Sequence, residues 1–241
     1  MHQEELRSFW RSSLTNTRVE KEWRPGWKSG WMKDQDAVTY NCSVMAAYAK
    51  QGDVAGAQKV LDRMQADYDA GNKAVKPNIR SYNVLIGCWT KSNSPDAPRE
   101  AVKLLDTIIA KYKSADLDEG PNVVTYSSVM TAYAKQGDVV GAQKVFDRMQ
   151  LDYDAGNKAA KPDIRSYNIL IDCWAKSNRP DAPRGAEKLL NTMIDKNKSG
   201  ELDEGPDAVT YNSLVQAWKS SRLPQGPHRI QELKKQMEIL F

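Results

Sequence analysis

Residues 132–158, AYAKQGDVVGAQKVFDRMQLDYDAGNK, are a near copy of residues 47–73, AYAKQGDVAGAQKVLDRMQADYDAGNK, which lie 85 residues earlier. The same offset relates residues 164–178, IRSYNILIDCWAKSN, to residues 79–93, IRSYNVLIGCWTKSN. A chain that copies itself at a fixed interval is built from units that bury their apolar faces on their neighbours, not from one closed core. Each 85-residue unit is itself double. Tyr40, Tyr82, Tyr126, Tyr167 and Tyr211 open five related segments, 42, 44, 41 and 44 residues apart, so two versions of one motif alternate along the chain. Whatever the protein does should reside in what recurs once per segment.

Within a segment the periodicity is helical. Tyr82, Leu85, Ile86 and Trp89 stand at i, i+3, i+4 and i+7, which puts four apolar side chains on one stripe, and the stripe returns at Tyr126, Tyr167 and Tyr211. A turn follows, either Gln-Gly or Ser-Asn-x-Pro-Asp-Ala-Pro, with Asp53, Asp96, Asp138 or Asp181 near the next start. A second stripe then runs through Ala142, Val145, Phe146 and Met149, or through Ala186, Leu189, Leu190 and Met193. Gly-Pro or Lys-Pro closes the segment, because proline cannot continue a helix. The expected fold is all-α: a right-handed α-solenoid of helix-turn-helix repeats at 37–78, 79–122, 123–163, 164–207 and an incomplete 208–241. Residues 1–36 are expected to form an N-terminal cap or partial repeat, with Trp23, Trp27 and Trp31 laid over the first repeat or offered to bases. The first segment departs by one residue. Val44 and Tyr48 match Val129 and Tyr133 at an offset of 85, whereas Tyr40 precedes Tyr126 by 86, which leaves Asn41 and Cys42 as alternatives for one register position.

Composition narrows function only slightly. The apolar share is 40%, as suits a thin array whose units touch only their neighbours, and 35 basic against 31 acidic residues give too small an excess to choose between nucleic acid and protein as partner. There is no apolar run long enough to span a membrane, and the acidic start resembles neither a signal nor a transit peptide. Cys42, Cys88 and Cys173 read as buried thiols in a reducing compartment.

About 130° around the first helix from the tyrosine stripe lies a polar face: Arg80, Asn83, Thr90 and Lys91, then Ser127, Thr131 and Lys135, then Arg165, Asn168, Asp172 and Lys176. First helices stacked side by side line the concave surface of a solenoid, so these residues would form columns. Amides and hydroxyls suit base edges, and the ammonium groups of Lys50, Lys91, Lys135 and Lys176 suit phosphates, although a lysine that ends a helix is also favoured by the helix dipole.

The strings AVTYN at 37–41, VVTYSSVMTAYAKQGD at 123–138 and AVTYNSL at 208–214, with Lys-Pro-Asn ending at Asn78 and Lys-Pro-Asp at Asp163, resemble pentatricopeptide repeats over residues 37–241. The resemblance implies an organellar protein, mitochondrial or plastid, that binds single-stranded RNA at one base per repeat. It also implies reading pairs Asn83 with Asn122, Ser127 with Asp163, Asn168 with Asp207, and Asn41 or Cys42 with Asn78, while Asn212 has no evident partner. Val38, Arg80, Val124, Arg165 and Val209 hold the position that packs against base faces, where the family's usual residue is aliphatic. The segments are longer than that family's usual repeat, and the extra residues fall in DAGNKA, in LDEG and in the Pro-Asp-Ala-Pro turn. The competing reading is a non-catalytic scaffold subunit of an organellar ribonucleoprotein or protein assembly, holding proteins or structured RNA along its concave face. Catalysis is not expected: His2 and His228 are isolated and no Cys-x-x-Cys is present, so no zinc chemistry can be assembled, and neither a cofactor nor a small-molecule substrate is implied.

Overall fold

The computed structural model describes residues 37–240, which form ten α-helices and no strand. The cap expected over residues 1–36 lies outside the described residues. The helices are α1 Ala37–Lys50, α2 Val54–Asp69, α3 Ile79–Lys91, α4 Ala97–Lys113, α5 Val123–Gln136, α6 Val139–Asp154, α7 Ile164–Lys176, α8 Ala182–Lys198, α9 Ala208–Ser221 and α10 Gly226–Leu240. Odd-numbered helices are the first helices of each pair and even-numbered ones the second. None of them is long and apolar enough to cross a membrane.

The helices start where side chains satisfy the exposed amides. Asn78, Asn122, Asp163 and Asp207 are the N-caps of α3, α5, α7 and α9, and each exchanges hydrogen bonds with the residue three places on, Ser81, Thr125, Ser166 or Thr210, in a reciprocal box. Such a cap stabilises its helix by about 1 kcal/mol. Asp53 and Asp138 cap α2 and α6 through the amides of Gly56 and Gly141. Asp96 and Asp181 hold the corresponding places at α4 and α8 without a capping bond; they pair instead with Arg99 and Arg179, and the prolines at Pro98 and Pro183 begin those helices with no amide to satisfy.

The apolar stripes form the core. Leu85, Ile86, Tyr126, Met130, Leu170 and Ile171 are fully enclosed, each worth about 1.5–3 kcal/mol of burial. First helices pack on one another in an unbroken row from α1 to α9, whereas successive second helices share no comparably extensive contact. Long polar side chains span the wider gaps: Lys111 to Gln65 at 3.2 Å, Arg148 to Asp106 at 2.6 Å and Arg229 to Glu187 at 2.6 Å. A row of pairs that is tight on one side and splayed on the other curves toward the tight side, so the first helices form the inner layer.

The extra residues of each segment are ordered without disturbing that layer. DAGNKA folds into a short 3-10 turn, Lys73–Val75 or Lys158–Ala160, with Val75 or Ala160 buried. The LDEG loops are pinned by buried Leu117 and Leu202, and Lys76 and Lys161 reach their Asp118 and Asp203 at 2.8 Å. Among the described residues no group of His, Cys, Asp and Glu is arranged to hold a metal ion.

The three cysteines are buried. Burial pushes the Cys88 thiol up to about 11 and the Cys173 thiol up to about 12, so both are protonated and unreactive at neutral pH. Cys88 and Cys173 should therefore resist a thiol-specific disulfide reagent at pH 8 in the folded protein and react at once in denaturant; rapid labelling of either in the native state would contradict their enclosure.

Gly137 ends α5 at φ 66°, and a Cβ there would lie 2.8 Å from the Lys176 carbonyl oxygen at the end of α7. Gly52, its counterpart 85 residues earlier, has φ 71° and open space around it. Replacing Gly52 with Ala should cost about 1–2 kcal/mol for the left-handed backbone alone. Gly137→Ala should cost distinctly more in denaturant titration, because α5 and α7 must also separate.

Candidate nucleic-acid interface

Since the residue that closes one repeat is the N-cap of the next first helix, the cap holds it beside the polar face of the preceding first helix. Asn83 Nδ2 donates to Asn122 Oδ1 at 3.5 Å, and Asn168 Nδ2 donates to Asp207 Oδ1 at 3.1 Å. The two members of each pair, 39 residues apart, meet on the inner layer. A third side chain joins each junction: the Thr125 hydroxyl donates to Asn83 Oδ1 at 2.7 Å, and the Thr210 hydroxyl donates to Asn168 Oδ1 at 2.6 Å. Sequence reasoning did not single out these threonines as part of the site, although they stand in the recurring Val-Thr-Tyr string.

The other two junctions are smaller. Cys42 Sγ lies 3.5 Å from Ser81 Oγ, which assigns Cys42, not Asn41, to the place held by Asn83 and Asn168 in the next repeats. The physical reason is that α1 runs as continuous helix from Ala37, with Val44 and Met45 buried, so core packing sets the register and the additional residue moves Tyr40 and Asn41 off their expected angles. Asn78 bonds its own helix start, through Ser81. Ser127 is buried, and its hydroxyl is the one enclosed side-chain polar atom without a hydrogen-bond partner among the described residues. Its companion Asp163 accepts from Ser166 at 2.7 Å. Asn212, on α9, is exposed.

Burial opposes ionisation of Asp207, but hydrogen bonds from the Thr210 amide and hydroxyl, from Asn168 and from the Val209 amide outweigh it and hold the carboxyl below the usual aspartate range. At neutral pH this junction presents a carboxylate where the Asn83 junction presents an amide.

At the position expected to pack against bases the two repeat types differ. Val124 and Val209 are 47% and 57% exposed, large values for valine, while Val38 is half-buried against the core. Arg80 and Arg165 are exposed and form no ion pair among the described residues. The lysines do not make one uniform column. Lys135 Nζ donates to the Thr90 carbonyl at 2.6 Å and to Asn93 Oδ1 at 3.3 Å, closing the C-terminus of the neighbouring α3. Lys176 pairs with Asp172 at 2.6 Å. Lys50 and Lys91 are exposed and make no such bond among the described residues.

Three matches to repeat-family models fall on this framework: a pentatricopeptide repeat domain over residues 34–92 and single PPR repeats over 120–150 and 165–197, together about half the chain. A pentatricopeptide repeat-containing protein of Arabidopsis thaliana is 29% identical over 142 residues, 58% of this chain and 22% of its own length. A chloroplastic pentatricopeptide repeat-containing protein of the same plant is 28% identical over 140 residues, 58% of this chain and 15% of its own length. The chain thus spans about a fifth or less of these relatives. The crystal structure of the pentatricopeptide repeat protein PPR10 from maize superimposes with a TM-score of 0.55 at 21% identity, covering 85% of this chain and 26% of that one, a likeness of fold. With its paired helices, its Val-Thr-Tyr openings and its capped Lys-Pro closes, the chain belongs to the pentatricopeptide repeat family.

Proposed function

We propose that the inner layer of first helices binds single-stranded RNA, each inter-repeat junction meeting one base, and that the protein serves organellar RNA metabolism. The observation that carries this reading is the meeting of Asn83 with Asn122 and of Asn168 with Asp207 across repeat boundaries on one face, at equivalent places 85 residues apart. An amide held that way keeps one N–H and one lone pair for a base edge, and exposed Val124 and Val209 offer apolar surface to base faces. Arg80 and Arg165, without an ion pair among the described residues, add planar cations that can stack on a base or bind phosphate. Family membership supports the same reading, and a chloroplastic relative supports the organelle. Binding to randomised single-stranded RNA, with double-stranded RNA as control, tests it directly. Failure to bind any single strand would replace it with the scaffold reading.

Base preference follows from the junctions. By family likeness, the Asn83 junction should take C or U, the Ser127 junction G and the Asn168 junction U. Ser127→Asn would set an amide opposite the Ser166 hydroxyl and beside Asp163, and should move the preference of that one position from G to U with the others unchanged, as read from selected RNA sequences.

The lysines should separate in a salt titration. Lys91→Ala should lower the slope of log K against log salt by about 0.7, the value of one phosphate contact on a single strand. Lys135→Ala should chiefly lower the melting temperature, because it removes the group that closes α3. Equal loss of salt dependence at Lys91, Lys135 and Lys176 would restore the uniform column.

A further inference from the structure

We propose that Thr125 and Thr210 are positioning residues whose hydroxyls fix the amide orientation of Asn83 and Asn168, and so determine whether those junctions discriminate between bases. This rests on the RNA-reading function proposed above. An asparagine amide can turn over, exchanging its donor and acceptor, and base recognition requires one of the two orientations. At both junctions the hydrogen bonds run in one direction. The cap residue's backbone N–H donates to the threonine oxygen, Asn122 to Thr125 at 3.2 Å and Asp207 to Thr210 at 3.1 Å. With that lone pair occupied, the hydroxyl proton is given onward to the asparagine Oδ1, at 2.7 and 2.6 Å. The same hydroxyl oxygen lies farther from the cap oxygens, 3.1 Å from Asn122 Oδ1 and 2.9 Å from Asp207 Oδ1. The asparagine Nδ2 then faces those cap oxygens, which already accept from the Thr125 and Thr210 backbone amides. Turning the amide over would aim Oδ1 at an oxygen and lose the hydroxyl bond.

The chain carries its own control. At the other two junctions the equivalent residue is Ser81 or Ser166, which completes the same cap, with hydroxyl-to-cap distances of 3.3 and 2.7 Å. The residue that holds the asparagine's place there is Cys42 or Ser127, and neither has an amide to orient. Across four junctions threonine accompanies asparagine, and serine accompanies the small residue. Capping alone needs only a hydroxyl, so it does not account for this matching. The β-branch of threonine does: its methyl group restricts rotation at χ1 and keeps the hydroxyl aimed at the amide.

The test uses Thr125→Val and Thr210→Val, which keep shape and lose the hydroxyl, beside Thr125→Ser and Thr210→Ser, which keep it, and Ser81→Ala and Ser166→Ala, which remove an equal capping group where no amide is held. Competition among four RNAs that differ only at the nucleotide opposite one junction gives the preference there. Each Thr→Val change should lower the preference at its own position by about five-fold, the worth of one hydrogen bond, and leave other positions unaltered. Thr→Ser, which keeps the hydroxyl but frees χ1, should retain only part of it, and Ser→Ala should lower the melting temperature while leaving the preferences at the Asn83 and Asn168 junctions unchanged. Thr→Val variants that discriminate as wild type does while melting earlier would reduce the threonines to caps and overturn the inference. A second readout is independent of RNA: in wild type the side-chain amide protons of Asn83 and Asn168 should give separate, exchange-protected NMR signals that collapse in Thr→Val. Protected amides in a wild type that prefers no base would sink the RNA-reading function and leave the orientation intact, whereas amides unaffected by Thr→Val would sink the orientation itself.

Discussion

The reciprocal cap at each repeat boundary is the interaction on which the rest of the molecule depends. A helix N-terminus leaves amides without partners, and here one side chain supplies the partner, ends the linker and becomes half of the candidate site. Asn122 and Asp207 illustrate this sharing. Each has its Oδ1 committed to the helix it starts while accepting from an asparagine on the helix before it. Side chains so constrained have little rotamer freedom left to lose on binding, and such pre-organisation strengthens contact with a ligand.

The two layers are held by different forces. First helices meet through fully buried aliphatic and aromatic side chains, a contact that resists displacement because a gap forfeits its packing. Second helices are linked across wider spaces by pairs such as Arg148 with Asp106, partly exposed and individually worth little. The spacing of junctions along the inner face is therefore set by apolar packing, while the outer face can open or close slightly at low cost. An array that followed a flexible strand, as proposed, would gain from that division.

Much of the fold was legible because it is local and periodic. The Tyr82 stripe, the Gln-Gly and Pro-Asp-Ala-Pro turns and the Lys-Pro closes each follow from residues within a few positions of one another, and repetition along the chain removes ambiguity. The Asn83 and Asn168 junctions were legible by likeness to a family. What escaped depends on partners about forty residues away. The commitment of Lys135 to the Thr90 carbonyl cannot be read from the sequence around either residue, because it needs the distance between α3 and α5. The choice between Asn41 and Cys42 turned on which residues the core holds, and Val44 and Met45 outweigh the Thr-Tyr-Asn string. Thr125 and Thr210 were hidden by their first role, since a residue that completes a capping box already has a sufficient explanation.

The alternation of small and amide junctions, Cys42, Asn83, Ser127, Asn168, gives the inner face a polarity of type with a period of two repeats. For a strand bound at one base per junction, displacement by a single nucleotide sets every base against the wrong kind of junction. Displacement by two restores the kind at each junction still occupied. On the proposed reading the array would resist a one-step slip more strongly than a two-step slip, and a dinucleotide repeat in the strand would leave it several registers of nearly equal energy.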